Sequence, residues 1–255
     1  MIPIRTDISP SLHPEALAGD APVLERDDRP LGKQAIAAAR EALTTAYETI
    51  GALNDATRAL EATSTRRERR NGRVLPVRER NDAFVKSADA ALARATSAID
   101  RRSAELARVR DALAARVNEA LSLPEHKTPV GIAQGAEVRG YVKALKASER
   151  VRFVDAAIES KDRATVAAVI HGGPAYLSGL TAEQLEVLRE RAASAWAPDE
   201  YQQLRSVEKV IERVAFGGST LVARYTEVMA SLRDSAAARA STTAKALAEG
   251  KGAAA

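Results

Sequence analysis

Cysteine is absent from this chain of 255 residues, methionine occurs twice, and the aromatics are one tryptophan, five tyrosines and three phenylalanines. The first absence excludes a disulfide scaffold and any cysteine-ligated zinc centre. The scarcity of rings removes the side chains that contribute most to a compact core. Yet 45% of the chain is apolar and 28% is charged, a balance that argues against a fully disordered polypeptide. Much of the apolar share is alanine, 54 residues of it. Alanine has the highest helix propensity and is depleted in strands, so the composition predicts an all-α protein with long helices in close contact.

A strong net charge is also missing: the formal balance is +4, and any case for nucleic acid must rest on local clustering. No stretch approaches the roughly eighteen consecutive apolar residues that a membrane helix needs. The start, MIPIRTDISPSLHPEAL, lacks a basic region followed by an apolar one, so the cytoplasm is the expected compartment.

Proline becomes sparse after residue 30. Pro3, Pro10, Pro14, Pro22 and Pro30 crowd the beginning, where they remove backbone donors and fix φ too often for a helix to propagate. Residues 1–33 are therefore expected as an extended N-terminal arm, either a solvated leader or a segment that orders against a neighbouring subunit.

Beyond it, two apolar lines recur every seven residues: Ile36, Leu43, Ile50, Thr57 and Ala39, Ala46, Leu53, Leu60. This is a heptad seam. A second segment carries Val85, Leu92, Ile99, Leu106, Leu113, Ala120 beside a mixed line of Ala88, Ala95, Arg102, Val109, Arg116. The two predict a long helical hairpin over 34–125 with a basic connector at 63–80, and a second helix roughly 65 Å long. Arg102 and Arg116 read as snorkelling side chains or as partners for nearby carboxylates.

Pro124, Pro129, Gly131, Gly135 and Gly140 predict a loop or hinge over 123–147. A helical domain over 126–235 follows, because seven of the nine rings fall between Tyr141 and Tyr225. Short helices are expected at 136–146, 149–159 and 162–170, then a turn at His171-Gly172-Gly173-Pro174. The next helix, 182–195, opens with Thr181 and Gln184 at capping-box spacing. A last long helix begins at Pro198, with Asp199 and Glu200 at its positive end. Its lines Leu204, Ile211, Gly218, Tyr225, Leu232 and Val207, Val214, Leu221, Val228 keep phase through Gly217-Gly218. One helix is expected there despite a cost of about 2 kcal/mol for two glycines. Residues 236–255 are expected as a flexible tail.

Few residues nominate chemistry. Val169–Tyr176, VIHGGPAY, superficially looks like the oxyanion turn of α/β-hydrolases, and Gly217-Gly218-Ser219-Thr220-Leu221 like their nucleophile elbow. Leu221 stands where the second elbow glycine is required, and no histidine follows His171, so the turn reads as a helix cap. His13, His126 and His171 lie in separate regions without a second ligand at helical spacing, so no metal is expected. The strongest local charge is Arg66, Arg67, Arg69, Arg70, Arg73, Arg78 and Arg80 against Glu68 and Glu79. Such a cluster could neutralise phosphates or meet an acidic protein surface, or simply be a solvated connector. It holds no ring to stack on bases.

Residues 155–200, DAAIESKDRATVAAVIHGGPAYLSGLTAEQLEVLRERAASAWAPDE, resemble segments of helical, mostly uncharacterised proteins encoded among the morphogenesis genes of tailed bacteriophages and prophages. The matching pieces are Ala167-Ala168-Val169-Ile170, the turn Pro174–Leu180 and the helix started by Thr181. The resemblance implies a virion or assembly component and brings no catalytic residues. The expectation is a non-enzymatic structural protein, such as a head-assembly component, that partners itself as a homo-oligomer and other virion proteins. It would use no cofactor, small-molecule substrate or membrane, and would occupy the host cytoplasm during assembly and then the virion. The alternative is a nucleic-acid-binding or packaging factor that meets DNA through the arginine cluster 66–80.

Overall fold

The protein is all-α. The computed structural model describes residues 2–26, 28–65, 77–122 and 128–248, and no strand occurs among these described residues. Two 3-10 turns, Pro10–Leu12 and Pro14–Gly19, precede α1 (Ala21–Leu24), α2 (Pro30–Thr65), α3 (Val77–Leu121), α4 (Pro129–Ala144), α5 (Ala147–Glu159), α6 (Arg163–Ile170), α7 (Ala182–Trp196) and α8 (Pro198–Ala248). The chain divides into two units. The first is Met1–Pro22, Ala35–Leu106 and Lys209–Ala255; the second is Val23–Gln34 and Ala107–Glu208.

In the first unit the heptad seam of α2 becomes core. Ile36, Ala39, Leu43, Ala46, Ile50 and Leu53 are buried, while Thr57 and Leu60 are half-buried. On α3, Ala88, Ala95, Ile99 and Leu106 are buried; on α8 the line Val214, Leu221, Val228 is buried and its companion Ile211, Gly218, Tyr225 half-buried. Arg102 of α3 pairs with Glu41 of α2 and with Glu105, 2.9 Å away, the role expected of a cation on a seam flank. Helix α8 runs unbroken through Gly217 and Gly218. A Cβ on Gly217 would stand 3.0 Å from Leu43 Cδ2 and 3.7 Å from the Ala46 methyl, so the glycine lets α2 and α8 approach closely.

The N-terminal stretch corrects the expected extended arm. Its prolines start turns instead of preventing them, since proline suits the first position of a helical turn, and Pro10 and Pro14 each open one. Leu12 and Leu17 are 1% and 0% exposed in the first unit. The segment orders against its own chain, which is why α2 buries Tyr47 and Asn54 in addition to its seam.

Two further expectations change. The loop placed at 123–147 is helix from Pro129 to Ala144: Pro129 occupies the start, Thr128 caps it by accepting from the Gly131 N–H at 3.1 Å, and Gly131 and Gly135 are buried on one face. Residues 123–127 and the connector 66–76 lie outside the described residues. Fraying after Asp234 is not seen through Ala248, because a run of alanine sustains a helix without an apolar line. Residues 249–255 of the proposed tail 236–255 lie outside the described residues.

The second unit is built on Val142, Val154, Ile158, Val166, Val169, Ile170, Leu180, Leu185 and Leu188, with Val117 and Leu121 from the end of α3. Thr181 and Gln184 form the expected capping box, 3.1 and 3.0 Å in the two directions. The turn at His171 ends α6 as a cap: Gly173 has φ +112°, and a Cβ on Gly172 would fall 2.1 Å from the Ala168 carbonyl oxygen. Helix ends are then tied by arginines. Arg139 donates to the Ala168 carbonyl at 3.0 Å and Arg189 to that of Ile170 at 3.2 Å. Arg163 donates to Ala120 O at 3.0 Å, its guanidinium 5.5 Å from the Trp196 ring centre. Arg150 reaches three oxygens, of Gly179, Lys143 and Leu145, at 2.6, 2.9 and 3.1 Å. A cation at a helix C-terminus satisfies carbonyls left without partners and opposes the dipole.

The unit boundary differs from the domain expected over 126–235. Helix α8 from Lys209 onward belongs with α2 and α3, because a long helix presents successive lengths of its stripe to different partners.

Candidate functional site

Of the arginines singled out in the sequence, Arg66, Arg67, Arg69, Arg70 and Arg73 lie outside the described residues. Arg78 and Arg80 fall in the first turn of α3. His126 is likewise outside them. His13 is buried far from any shared ligand set: its Nδ1 accepts from the Glu15 N–H at 3.2 Å, and Nε2 meets the Ile2 carbonyl at 3.1 Å. His171 lines a cleft. Among the described residues no three histidine or acidic side chains gather as a metal site, and no helix is long and apolar enough to cross a membrane.

A polar cleft lies in each unit. In the first, a cavity of about 330 Å³ is lined by Asp7, Ser9, Asn54, Thr57, Arg58, Glu61, Thr220 and Arg224 over a floor of Ile8, Leu12 and Ile50. Asp7 is its centre. Its carboxylate accepts from Arg5 Nε at 3.0 Å, from Asn54 Nδ2 at 2.9 Å and from Arg58. Arg5 also forks onto Asp55 at 2.7 and 2.6 Å. Arg5, then Asn54, hold the Asp7 carboxyl well below the usual carboxylate range, and Arg5 lowers Asp55. Asp55 and Asp7 raise the Arg5 guanidinium above its ordinary value.

The same set of contacts continues along the segment. The Arg5 N–H donates to the Tyr47 phenol oxygen at 2.6 Å, and the His13 ring stands edge-on to Tyr47, 5.1 Å between centres. Arg213 donates to the Ala16 carbonyl and faces Asp20 Oδ2 at 3.4 Å. That separation satisfies an ion pair, yet the buried Oδ2 accepts no hydrogen bond. Midway along α8, the Tyr225 phenol donates to Asp89, which raises its pKa.

In the second unit a wider cleft, about 590 Å³, is lined by Asn118, His171, Glu186, Arg189, Glu190, Tyr201, Arg205 and Glu208. Its charges pair: Arg189 with Glu186 at 3.4 Å, and Arg205 with Glu208 at 3.0 Å and Glu190 at 3.8 Å. Burial, then Glu190, raise the Tyr201 phenol. Both clefts thus present alternating charge, a surface suited to polar protein contacts.

Sequence reasoning singled out neither set. Asp7 and Asn54 are 47 residues apart, and Asn54 and Arg224 are 170 apart, so no local spacing marks them. Compared with protein-family models, with curated proteins and with solved structures, the chain matches none.

Proposed function

We propose that the protein is a non-enzymatic structural or assembly protein that works through helical protein-protein contacts. The observation that carries the reading is the set of three helices of 36, 45 and 51 residues, α2, α3 and α8, whose buried faces combine aliphatic residues with alanine on α2 and α3 and with Gly217 on α8. Such faces let backbones pack closely over long lengths, a material suited to assemblies. The resemblance of residues 155–200 to phage morphogenesis proteins supports a place in a bacteriophage virion or its head assembly. On that reading the chain meets itself as a homo-oligomer and other virion proteins, in the host cytoplasm during assembly and afterwards in the particle. Light scattering tests it: a defined oligomer, or incorporation into a larger particle, is expected. A strict monomer that joins no particle would sink the reading.

A second reading rests on the seven arginines between 66 and 80, which suit phosphate neutralisation in a nucleic-acid-binding or packaging factor. Replacing Arg66, Arg67, Arg69 and Arg70 with serine should weaken duplex binding and flatten its salt dependence. Unchanged binding removes the cluster from consideration.

A further inference from the structure

We propose that residues 2–20 form an exchangeable strap, and that its seat on α2 and α8 of the first unit also accepts the strap of a second copy of this chain. The inference rests on the assembly reading above and names the contact between copies.

The strap is anchored by a self-contained set of groups. Asp7 meets Asn54 and Arg58 of α2, Arg5 meets Asp55 and Tyr47 of α2, and the Ala16 carbonyl meets Arg213 of α8. Leu12 seats its side chain opposite Gly217 of α8, 3.9 Å from where a Cβ would stand. None of these contacts involves the chain that leads out of the strap. The seat therefore recognises the segment itself, by charge and shape, and every copy of the protein carries that segment. Exchange of an identical element restores in trans each contact made in cis, which makes it a low-cost route to association.

The exit from the strap is short. Residues beyond Pro22 belong to the second unit and are fastened there separately: Arg29, 4% exposed, donates to the Val23 carbonyl at 2.8 Å and pairs with Asp199 at 2.5 Å. Between Asp20, which faces Arg213, and Val23 lie only Ala21 and Pro22, the start of α1. A Cβ on Gly19 would meet nothing within 4 Å, and its φ is not in the left-handed region. Neither close approach nor backbone conformation demands glycine there, so what it contributes is conformational freedom just before the exit. The ionic anchors are partly exposed, with Arg58 and Asp55 side chains 58% and 56% accessible, so salt loosens those, whereas Ile8, Leu12 and Leu17 are buried and leave the seat only under mild denaturant.

The absence of cysteine permits a clean test. Ser9→Cys, on the strap, and Thr220→Cys, on α8, both line the cleft. The two single variants, one of them isotopically heavy, are mixed in high salt with sub-denaturing urea, returned to low salt without urea and treated with a short bis-maleimide. Exchange yields a covalent pair containing one light and one heavy chain. In the double variant it yields dimers and longer chains that grow with protein concentration. Linkage only within single chains at every concentration, with no mixed pair, overturns the proposal. Ser9→Cys with Glu61→Cys repeats the test should Thr220→Cys fold poorly. Light scattering on the same samples separates the two levels: oligomers without a mixed pair sink exchange and leave the assembly reading standing, whereas monomers throughout sink both.

Discussion

Arg224 on α8 donates through Nε to the side-chain oxygen of Asn54 on α2, 2.7 Å away, while the Asn54 amide nitrogen donates to Asp7 at 2.9 Å. The two ends of one amide thus tie α8 to the N-terminal segment, and the pairing fixes which end is oxygen. Asn54 is only 4% exposed. Asn54→Ala should therefore cost about 1–3 kcal/mol, since both partners are left short of a hydrogen bond. A urea titration read by circular dichroism checks this; a loss under about 0.5 kcal/mol would show that water replaces the amide.

The adjacent glycines of α8 should respond in opposite ways. A Cβ on Gly218 would lie 3.7 Å from Ile99, an ordinary contact, so Gly218→Ala should stabilise by about 0.5–1 kcal/mol through helix propensity. On Gly217 the first carbon already stands 3.0 Å from Leu43, and Gly217→Val should destabilise by about 1–3 kcal/mol. Thermal melts of the two variants compare the signs directly.

Stability should fall with acid in a defined window. The folded state lowers the pKa of Asp7 and Asp55 below the ordinary 3.8 through Arg5, and that of Asp162 through Thr165. A carboxyl depressed in this way stabilises fully above 3.8 and loses the contribution as pH falls through its folded value. Denaturation midpoints at pH 7, 4 and 3 should decline chiefly below 4. Asp7→Asn should be less stable at pH 7 and show a shallower decline; an identical profile would remove Asp7 as a source.

Arg150 serves three carbonyls, two at the end of α4 and one in the turn at Gly179. Arg150→Met keeps most of the stem and removes the donors, and should cost about 2 kcal/mol. Arg150→Lys should recover little, because an ammonium lacks the planar fork that reaches several acceptors at once. Chemical denaturation of both variants tests it, and full recovery by lysine would reduce the role to charge alone.

What was legible in the sequence was local. The lines Ile36, Leu43, Ile50 and Val214, Leu221, Val228 announce helices by their own spacing, and Thr181 with Gln184 marks a start within four residues. The unbroken α8 was legible because its phase survives Gly217 and Gly218. Helix α4 was not. Gly131 and Gly135 read as breakers, and what keeps them helical is burial against other elements, which propensity does not contain. The folded N-terminal segment was hidden for a related reason: Leu12 and Leu17 find their partners on helices far away in sequence. The polar network around Asp7 failed the same way, as its members come from three separate stretches of chain.

The boundary between the units falls inside α1, α2, α3 and α8, and the first unit is gathered from three stretches of chain, the second from two. Neither can be excised as a contiguous fragment. A gene shortened after residue 208 would delete the glycine against which Leu43 and Ala46 close, and would leave α2 with an uncovered flank. Nor does a flexible joint offer a protease a place to cut the units apart, since all four crossings of the boundary, after Pro22, Gln34, Leu106 and Glu208, run through helical backbone. On the assembly reading proposed above this is a form of indivisibility: the molecule would enter a larger structure only as one piece.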